Sequence, residues 1–190
     1  KAIAGHERYF DRHNGAGGQY SVANSGQSPM FVNLTTRGFL KDPQTEPIRN
    51  GVGVERTILV KDGTPHEGTE FRQTDTYIVH LTIHADRAVD NIVAVDMLPA
   101  GFEIENPRLT KNLPQLDGEP NVTPSYMDLR DDRIILAFDH LGKGTYHYRY
   151  VVRAVTPGVY QYPAAAAECM YDAELQGSSK PATITVISLN

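Results

Sequence analysis

The chain has 190 residues, of which 40 % are apolar and 22 % charged, and these fractions indicate a folded globular chain rather than a disordered one. Its net charge of −5 and its lack of a basic stripe argue against nucleic acid as a partner, and no apolar run approaches the ~18 residues of a membrane helix. The single cysteine, Cys169, excludes an internal disulfide framework and a cysteine zinc site.

The pattern of the first fifty residues predicts a β-hairpin followed by a domain boundary. Residues 19–23 and 30–36 have strand character, and the Gly- and Pro-containing segment 24–29 between them is typical of a turn. Residues 41–50 carry two prolines and no apolar rhythm, which is typical of a linker. We therefore expect residues 1–45 to supply strands of a preceding region, separate from or packed on the next domain, and residues 46–190 to form that domain.

Strands separated by turn residues recur after residue 53, and no segment of ten residues has a helical period. This pattern predicts an all-β fold, an antiparallel β-sandwich with extra N-terminal strands. Residues 106–132 are predicted to be a long loop or an excursion with a short helix at 125–130. The predicted strands are 54–60, 76–85, 91–97, 102–105, 133–139, 145–153, 159–162 and 181–189.

The strongest strand is 145–153, because its side chains alternate most clearly. Tyr146, Tyr148, Tyr150 and Val152 share one face, which we expect to lie inside, whereas His147, Arg149 and Arg153 are expected to face solvent or a partner domain. The turn at residues 141–144 predicts a hairpin in which strand 133–139 pairs with this strand.

The candidate chemistry is weak at each position, so we predict no catalytic residues, no metal and no cofactor. His80 and His84 lie four residues apart on a predicted strand, a separation of about 13 Å that is too long for one shared metal. The adjacent Asp131 and Asp132 are typical of a turn before a strand. Cys169 has acidic neighbours, which disfavour a reactive thiolate.

Five stretches, taken in their order and spacing, resemble the C-terminal part of bacterial alpha-2-macroglobulin family proteins. The resemblance covers residues 46–190 and implies the final macroglobulin-like β-sandwich domain, while residues 1–45 look similar to the strands that precede it. Because the sequence also begins at Lys1 without a signal peptide, we expect a fragment of a larger protein. The stretches are NGVGVER at 50–56, VDMLPAGFE at 95–103, DLRDDR at 128–133, RAVTPG at 153–158 and ECMYD at 168–172.

The resemblance implies a non-catalytic part of a large periplasmic protease trap, an endopeptidase inhibitor of bacterial defence often held at the inner membrane as a lipoprotein. In that family a protease cuts a bait region, and a Cys–Gln thioester then attaches to the protease. The C-x-E-Q motif is absent here, so the implied partners are the thioester domain and other domains of the same parent chain, with target proteases bound through the whole protein. Any membrane anchor would lie outside this fragment.

Met170 and Tyr171 match the family pair that shields the thioester in the resting state. We expect both side chains to be exposed in this chain, on a mobile tip that Pro163 and the following alanines let leave the strand pair. Cys169 departs from the small residue expected beside the pair. The alternative function is a stand-alone extracytoplasmic adhesion or carbohydrate-binding sandwich, and a C-x-E-Q motif upstream in the reading frame would decide between the two.

Overall fold

The computed structural model describes residues 23–32, 46–105 and 122–188. These residues contain thirteen β-strands and no helix, and none of them forms a helix of the length and apolarity needed to cross a membrane. The strands are β1 Ile48–Asn50, β2 Val52–Leu59, β3 Glu70–Arg72, β4 Thr76–Ala85, β5 Val89–Met97, β6 Phe102–Ile104, β7 Tyr126–Arg130, β8 Arg133–Leu141, β9 Gly144–Ala154, β10 Gly158–Tyr162, β11 Ala166–Cys169, β12 Asp172–Ser178 and β13 Ala182–Ile187.

Residues 23–32 belong to a separate compact unit, whereas all thirteen strands belong to the unit formed by residues 40–190. A local turn holds this first segment, because Asn24 accepts a hydrogen bond from the Gly26 amide at 3.0 Å. Residues 23 and 30–32, predicted as strand, are not in one. The rest of the predicted hairpin lies outside the described residues, and the boundary at residue 45 stays a prediction.

Ten of the strands form one hydrogen-bonded ladder of antiparallel neighbours, in the order β6-β9-β4-β2-β1-β12-β11-β5-β8-β7. The ladder bends back on itself, because Asp96 of β5 contacts Arg56 of β2 and Tyr150 of β9, which lie several strands away in that order. A smaller sheet, β10-β13-β3, adds a parallel pair between β13 and β3. The predicted all-β sandwich is confirmed.

The short helix predicted at 125–130 is wrong. Residues 126–130 form β7, an edge strand that pairs along its whole length with β8. Asp131 and Asp132 make the two-residue turn between these strands, as their residue types predicted, and Asp132 accepts a hydrogen bond from the Arg133 guanidinium at 3.0 Å. Pairing along β8 gives residues 126–130 an extended backbone, so tertiary context decides this segment.

The predicted hairpin between β8 and β9 is also wrong. β8 pairs with β5 and β7, whereas β9 pairs with β4 and β6, so the two-residue link at 142–143 crosses between the two halves of the ladder. The Tyr146 hydroxyl donates to the Gly142 carbonyl at 3.0 Å and braces this crossing. A short loop between two strands favours a hairpin. Here, however, β8 pairs most extensively with β5, and β9 pairs most extensively with β4.

The tyrosine-rich face of β9 lies inside, as predicted, with Tyr148, Tyr150 and Val152 buried in the main core and Tyr146 packed partly against it. The opposite face is less open than predicted. Arg153 is exposed, but Arg149 retains only 5 % of its accessible surface. Val151 is also buried on this side, in a small second cluster with Leu59 and Ile78. The prediction that Arg149 faces solvent or a partner domain is therefore wrong, because the chain itself covers both faces of β9 here.

A buried ion pair joins the two halves of the sandwich. The Arg56 guanidinium donates to Asp96 Oδ1 at 2.6 Å, and the Tyr150 hydroxyl donates to Asp96 Oδ2 at 2.7 Å. The Arg56 side chain is 5 % exposed and that of Asp96 is 0 % exposed, and Arg56 also lies 3.4 Å above the centre of the Tyr162 ring. Burial raises the pKa of the Asp96 carboxyl, an effect that the Arg56 charge and the Tyr150 hydrogen bond oppose.

Two glycines let β12 pass close to β1 and β2. A Cβ on Gly177 would lie 2.4 Å from the Val52 carbonyl oxygen, so only glycine fits where these backbones approach. Gly51 has φ +71°, and a Cβ there would also meet the Leu175 side chain. These close approaches fix the path of β12 toward the hairpin described below.

We predict that removing one partner of the buried ion pair lowers the stability of the domain far more than replacing both partners and Tyr150 by apolar residues. Arg56→Met should lower the free energy of unfolding by about 3–5 kcal/mol, because it leaves the Asp96 carboxylate buried and unpaired. The combined Arg56→Met, Asp96→Leu, Tyr150→Phe variant should recover most of that loss. Urea unfolding followed by tyrosine fluorescence measures both, and an unchanged midpoint for Arg56→Met would contradict the role of the pair.

Candidate functional site: the β11–β12 hairpin tip

Met170 and Tyr171 form the whole turn of a two-residue hairpin. β11 ends at Cys169, β12 begins at Asp172, and these two residues are paired across the turn. The two side chains therefore stand at the tip of a strand pair that lies within the large sheet. We call these two residues the hairpin tip.

The backbone of the hairpin tip is held to the start of β5. The Met170 amide donates to the Asn91 carbonyl at 2.9 Å, which continues the β11–β5 ladder by one residue. The Cys169 thiol donates to the Asp90 carbonyl at 3.3 Å. Residues 163–165 do carry the chain away from β10, but β11 then enters the large sheet between β5 and β12. The tip that was predicted to be mobile therefore has a backbone that belongs to a ladder.

An irregularity in β12 follows directly after the turn. The register shifts between Glu168 and Cys169, so that β12 carries extra residues opposite the end of β11. Asp172 Oδ1 accepts the Glu174 amide at 3.1 Å and closes this bulge. A bulge changes the direction of a strand and increases its local twist, so it contributes to the direction in which the tip projects.

The tip side chains are exposed although their backbone is fixed. Met170 keeps 61 % of its accessible surface and Tyr171 keeps 81 %. The prediction that both are exposed in this chain is confirmed. Large apolar side chains side by side on a fixed turn form the kind of feature that marks an interaction site.

Polar groups surround the tip. Asp172 lies 3.9 Å from the Arg87 guanidinium, and the Asp90 carboxylate lies 2.6 Å from His140 Nδ1. All four side chains are substantially exposed, so these polar contacts add little stability. An apolar pair with a polar rim is the usual anatomy of a small docking surface.

The two histidines singled out from the sequence do not come together. His80 Nε2 lies 3.0 Å from His147 Nδ1 on the neighbouring strand, whereas His84 Nε2 lies 3.2 Å from a Glu55 carboxylate oxygen. Both rings are half-buried, so the sheet face that carries them is less solvated than expected. Within residues 23–32, 46–105 and 122–188, no group of three or more His, Cys, Asp or Glu side chains is placed to hold a metal.

Asn91 was missed in the sequence. It has φ 55°, in the left-handed region that few residues other than glycine and asparagine adopt readily, although it lies within β5. An asparagine near the start of a strand was the available signal, since asparagine is depleted in strands.

A sequence model of the bacterial alpha-2-macroglobulin MG10 domain matches residues 51–174. The chain belongs to the bacterial alpha-2-macroglobulin family. The match includes the hairpin tip, the buried pair and most of the sandwich, and it confirms the resemblance derived from the five sequence stretches.

Known relatives agree with this assignment. The chain is 34 % identical to alpha-2-macroglobulin of Escherichia coli K12 over 165 residues, which cover 79 % of this chain and 10 % of that protein. It is similar to trypsin-activated E. coli alpha-2-macroglobulin (TM-score 0.64, 29 % identity, 74 % of this chain and 11 % of that one). It is also similar to Salmonella alpha-2-macroglobulin reacted with methylamine (TM-score 0.64, 34 % identity, 74 % and 9 %). The chain thus spans about a tenth of the length of the curated relative.

Substitution of one exposed and one buried tyrosine tests whether the tip packs against its own domain. Tyr171→Ala should change the free energy of unfolding by no more than about 0.5 kcal/mol, because an exposed side chain has little packing to lose. Tyr162→Ala, at a position that is 2 % exposed, should cost about 3–5 kcal/mol. Denaturant unfolding of both variants measures the difference. A large loss for Tyr171→Ala would show that the tip packs against its own domain.

Proposed function

We propose that this domain is a non-catalytic part of a bacterial protease trap, and that its hairpin tip covers the thioester of a neighbouring domain of the same parent chain before activation. The observation that carries the proposal is the tip itself, where Met170 and Tyr171 project from a backbone fixed by the Asn91 carbonyl and are 61 % and 81 % exposed. Family membership supports the assignment of this pair to shielding.

The chemistry of a thioester explains why such a cover is needed. Water and amines attack a thioester that they can reach, so a resting trap has to keep both away from its carbonyl carbon. A tyrosine ring supplies a broad apolar surface, and a methionine side chain adapts to irregular gaps. The two together can close a small site without forming a covalent bond to it.

The fixed backbone makes a reversible cover effective. A turn held in a ladder loses little conformational freedom when it docks, so more of the contact energy remains for binding. The contact area of two side chains is small, however, and the polar rim makes only weak, exposed contacts. A rearrangement of the parent protein can therefore remove the tip from the thioester at modest cost.

The parent protein would act as an endopeptidase inhibitor in the periplasm or another extracytoplasmic space, where external proteases arrive. Any inner-membrane lipoprotein anchor would be carried by another part of the parent chain. The domain itself would supply packing and shielding, with no catalysis. The adhesion or carbohydrate-binding alternative gains no support from a specific site in the described residues, since the wide groove between β6 and β7 is lined by a mixture of charged and apolar side chains.

The test uses the parent protein that carries this domain. Its reading frame should contain C-x-E-Q, and a frame without that motif would contradict the proposal. Tyr171→Gly should let methylamine consume the thioester at least about tenfold faster without any protease, because a cover that opens in a few per cent of molecules limits access by that fraction. Methylamine is an apt probe, since a Salmonella relative has been solved after reaction with it.

Free-thiol appearance measures the reaction, and Tyr126→Gly is the matched control because Tyr126 is also exposed, at 63 %, but lies on β7 and not in the tip. The control should react at the wild-type rate. Equal methylamine rates for wild type, Tyr171→Gly and Met170→Gly would sink the shielding role.

A further inference from the structure

We infer that Asn91 is a positioning residue for the hairpin tip, and that its left-handed backbone sets the direction in which Met170 and Tyr171 project. This inference rests on the proposed shielding function and names a residue outside the tip that the function would depend on. The juxtaposition behind it is an Asn91 carbonyl 2.9 Å from the Met170 amide.

The carbonyls at the start of β5 depart from the strand pattern. Along a regular strand, successive carbonyls point to opposite neighbours. Here the Asp90 carbonyl accepts the Cys169 thiol and the Asn91 carbonyl accepts the Met170 amide, so both are directed to the same hairpin. The conformation of Asn91, with φ 55°, is the local feature that breaks the alternation.

The other neighbour of β5 shows the same interruption. β8 pairs with Asp90 through His140 and with Ile92 through Phe138, but Asn91 is skipped in that register. The Asp139 amide, which lies opposite Asn91, donates to the Ser125 hydroxyl at 3.1 Å, just before β7. The pairing of β5 with β8 is therefore interrupted at Asn91, the residue whose carbonyl binds the Met170 amide.

The turn at the tip depends on support from outside. Two-residue hairpins are most stable when a turn residue has positive φ, which asparagine or glycine usually supplies. Among non-glycine residues that the structure describes, positive φ occurs at Thr74 and Asn91, so neither Met170 nor Tyr171 has it. The Asn91 carbonyl and the Asp172 side chain provide the external bonds that hold this turn and the bulge after it.

The residue type is thus specified by conformation rather than by side-chain contact. Asn91 is exposed, so its side chain is not required for packing. Glycine adopts the left-handed region without strain, whereas a β-branched residue does not. Asn91→Gly should keep the tip in place, and Asn91→Val should force the strand toward a regular path and release the Met170 amide.

The first measurement is hydrogen exchange at the Met170 amide in this chain. Asn91→Val should speed exchange at least about tenfold, because an amide that loses its acceptor is no longer protected. Asn91→Gly should keep the exchange rate of the Met170 amide within about twofold of the wild-type rate. Unchanged exchange in Asn91→Val would overturn the inference at its structural step.

The second measurement is methylamine consumption of the thioester in the parent protein. Asn91→Val should react at least about tenfold faster than wild type, and Asn91→Gly should restore the slow rate. Ile184→Ala, a core change in the smaller sheet, controls for general destabilisation and should not mimic Asn91→Val.

The outcomes separate the two claims. If Tyr171→Gly speeds the reaction and Asn91→Val does not, the positioning role fails while shielding stands. If Tyr171→Gly has no effect, shielding itself fails, and the hydrogen-exchange result still reports whether Asn91 holds the tip.

Discussion

The buried carboxylate of Asp96 is the interaction on which the arrangement of this domain most depends. It lies on the core face of β5 and receives hydrogen bonds from Arg56 on β2 and Tyr150 on β9, so one acidic side chain joins the two halves of a ten-stranded ladder. A slip of one residue in β5 would turn Asp96 away from both partners. The pair therefore specifies the register of β5 as well as its place in the sandwich.

The register of β5 reaches the hairpin tip through the backbone. β5 contains both the Asn91 carbonyl, which binds the tip, and the buried Asp96, and it lies between β11 and β8 in the centre of its half of the ladder. A strand fixed in the core thus holds a turn whose side chains are left exposed. Sites built on strands are placed more accurately than sites on free loops, which suits the proposed covering of one small reactive group.

Local alternation explains what could be predicted from the sequence. The period-two pattern of residues 76–85 matches β4, and the buried tyrosine face of β9 follows from the same rule, since side-chain direction is set within each strand. Strand pairing is non-local, so the short link before Gly144 suggested a hairpin that does not form. The burial of Arg149 and the partners of Asp96 also depend on strand pairing, so they could not be predicted from local sequence. Met170 and Tyr171 were found through family resemblance, because their residue types alone favour ordinary packing.

The proposed shielding requires the parent protein to bury the hairpin tip at rest and to release it on activation. Oxidation by hydroxyl radicals, read at Met170 and Tyr171 by mass spectrometry, tests this most directly, because both side chains are reactive and more than half exposed in the chain alone. The account predicts strong oxidation in this chain, protection in the resting parent protein, and renewed oxidation after protease or methylamine treatment. Oxidation of both residues in the resting parent at the rate seen in the isolated chain would contradict it.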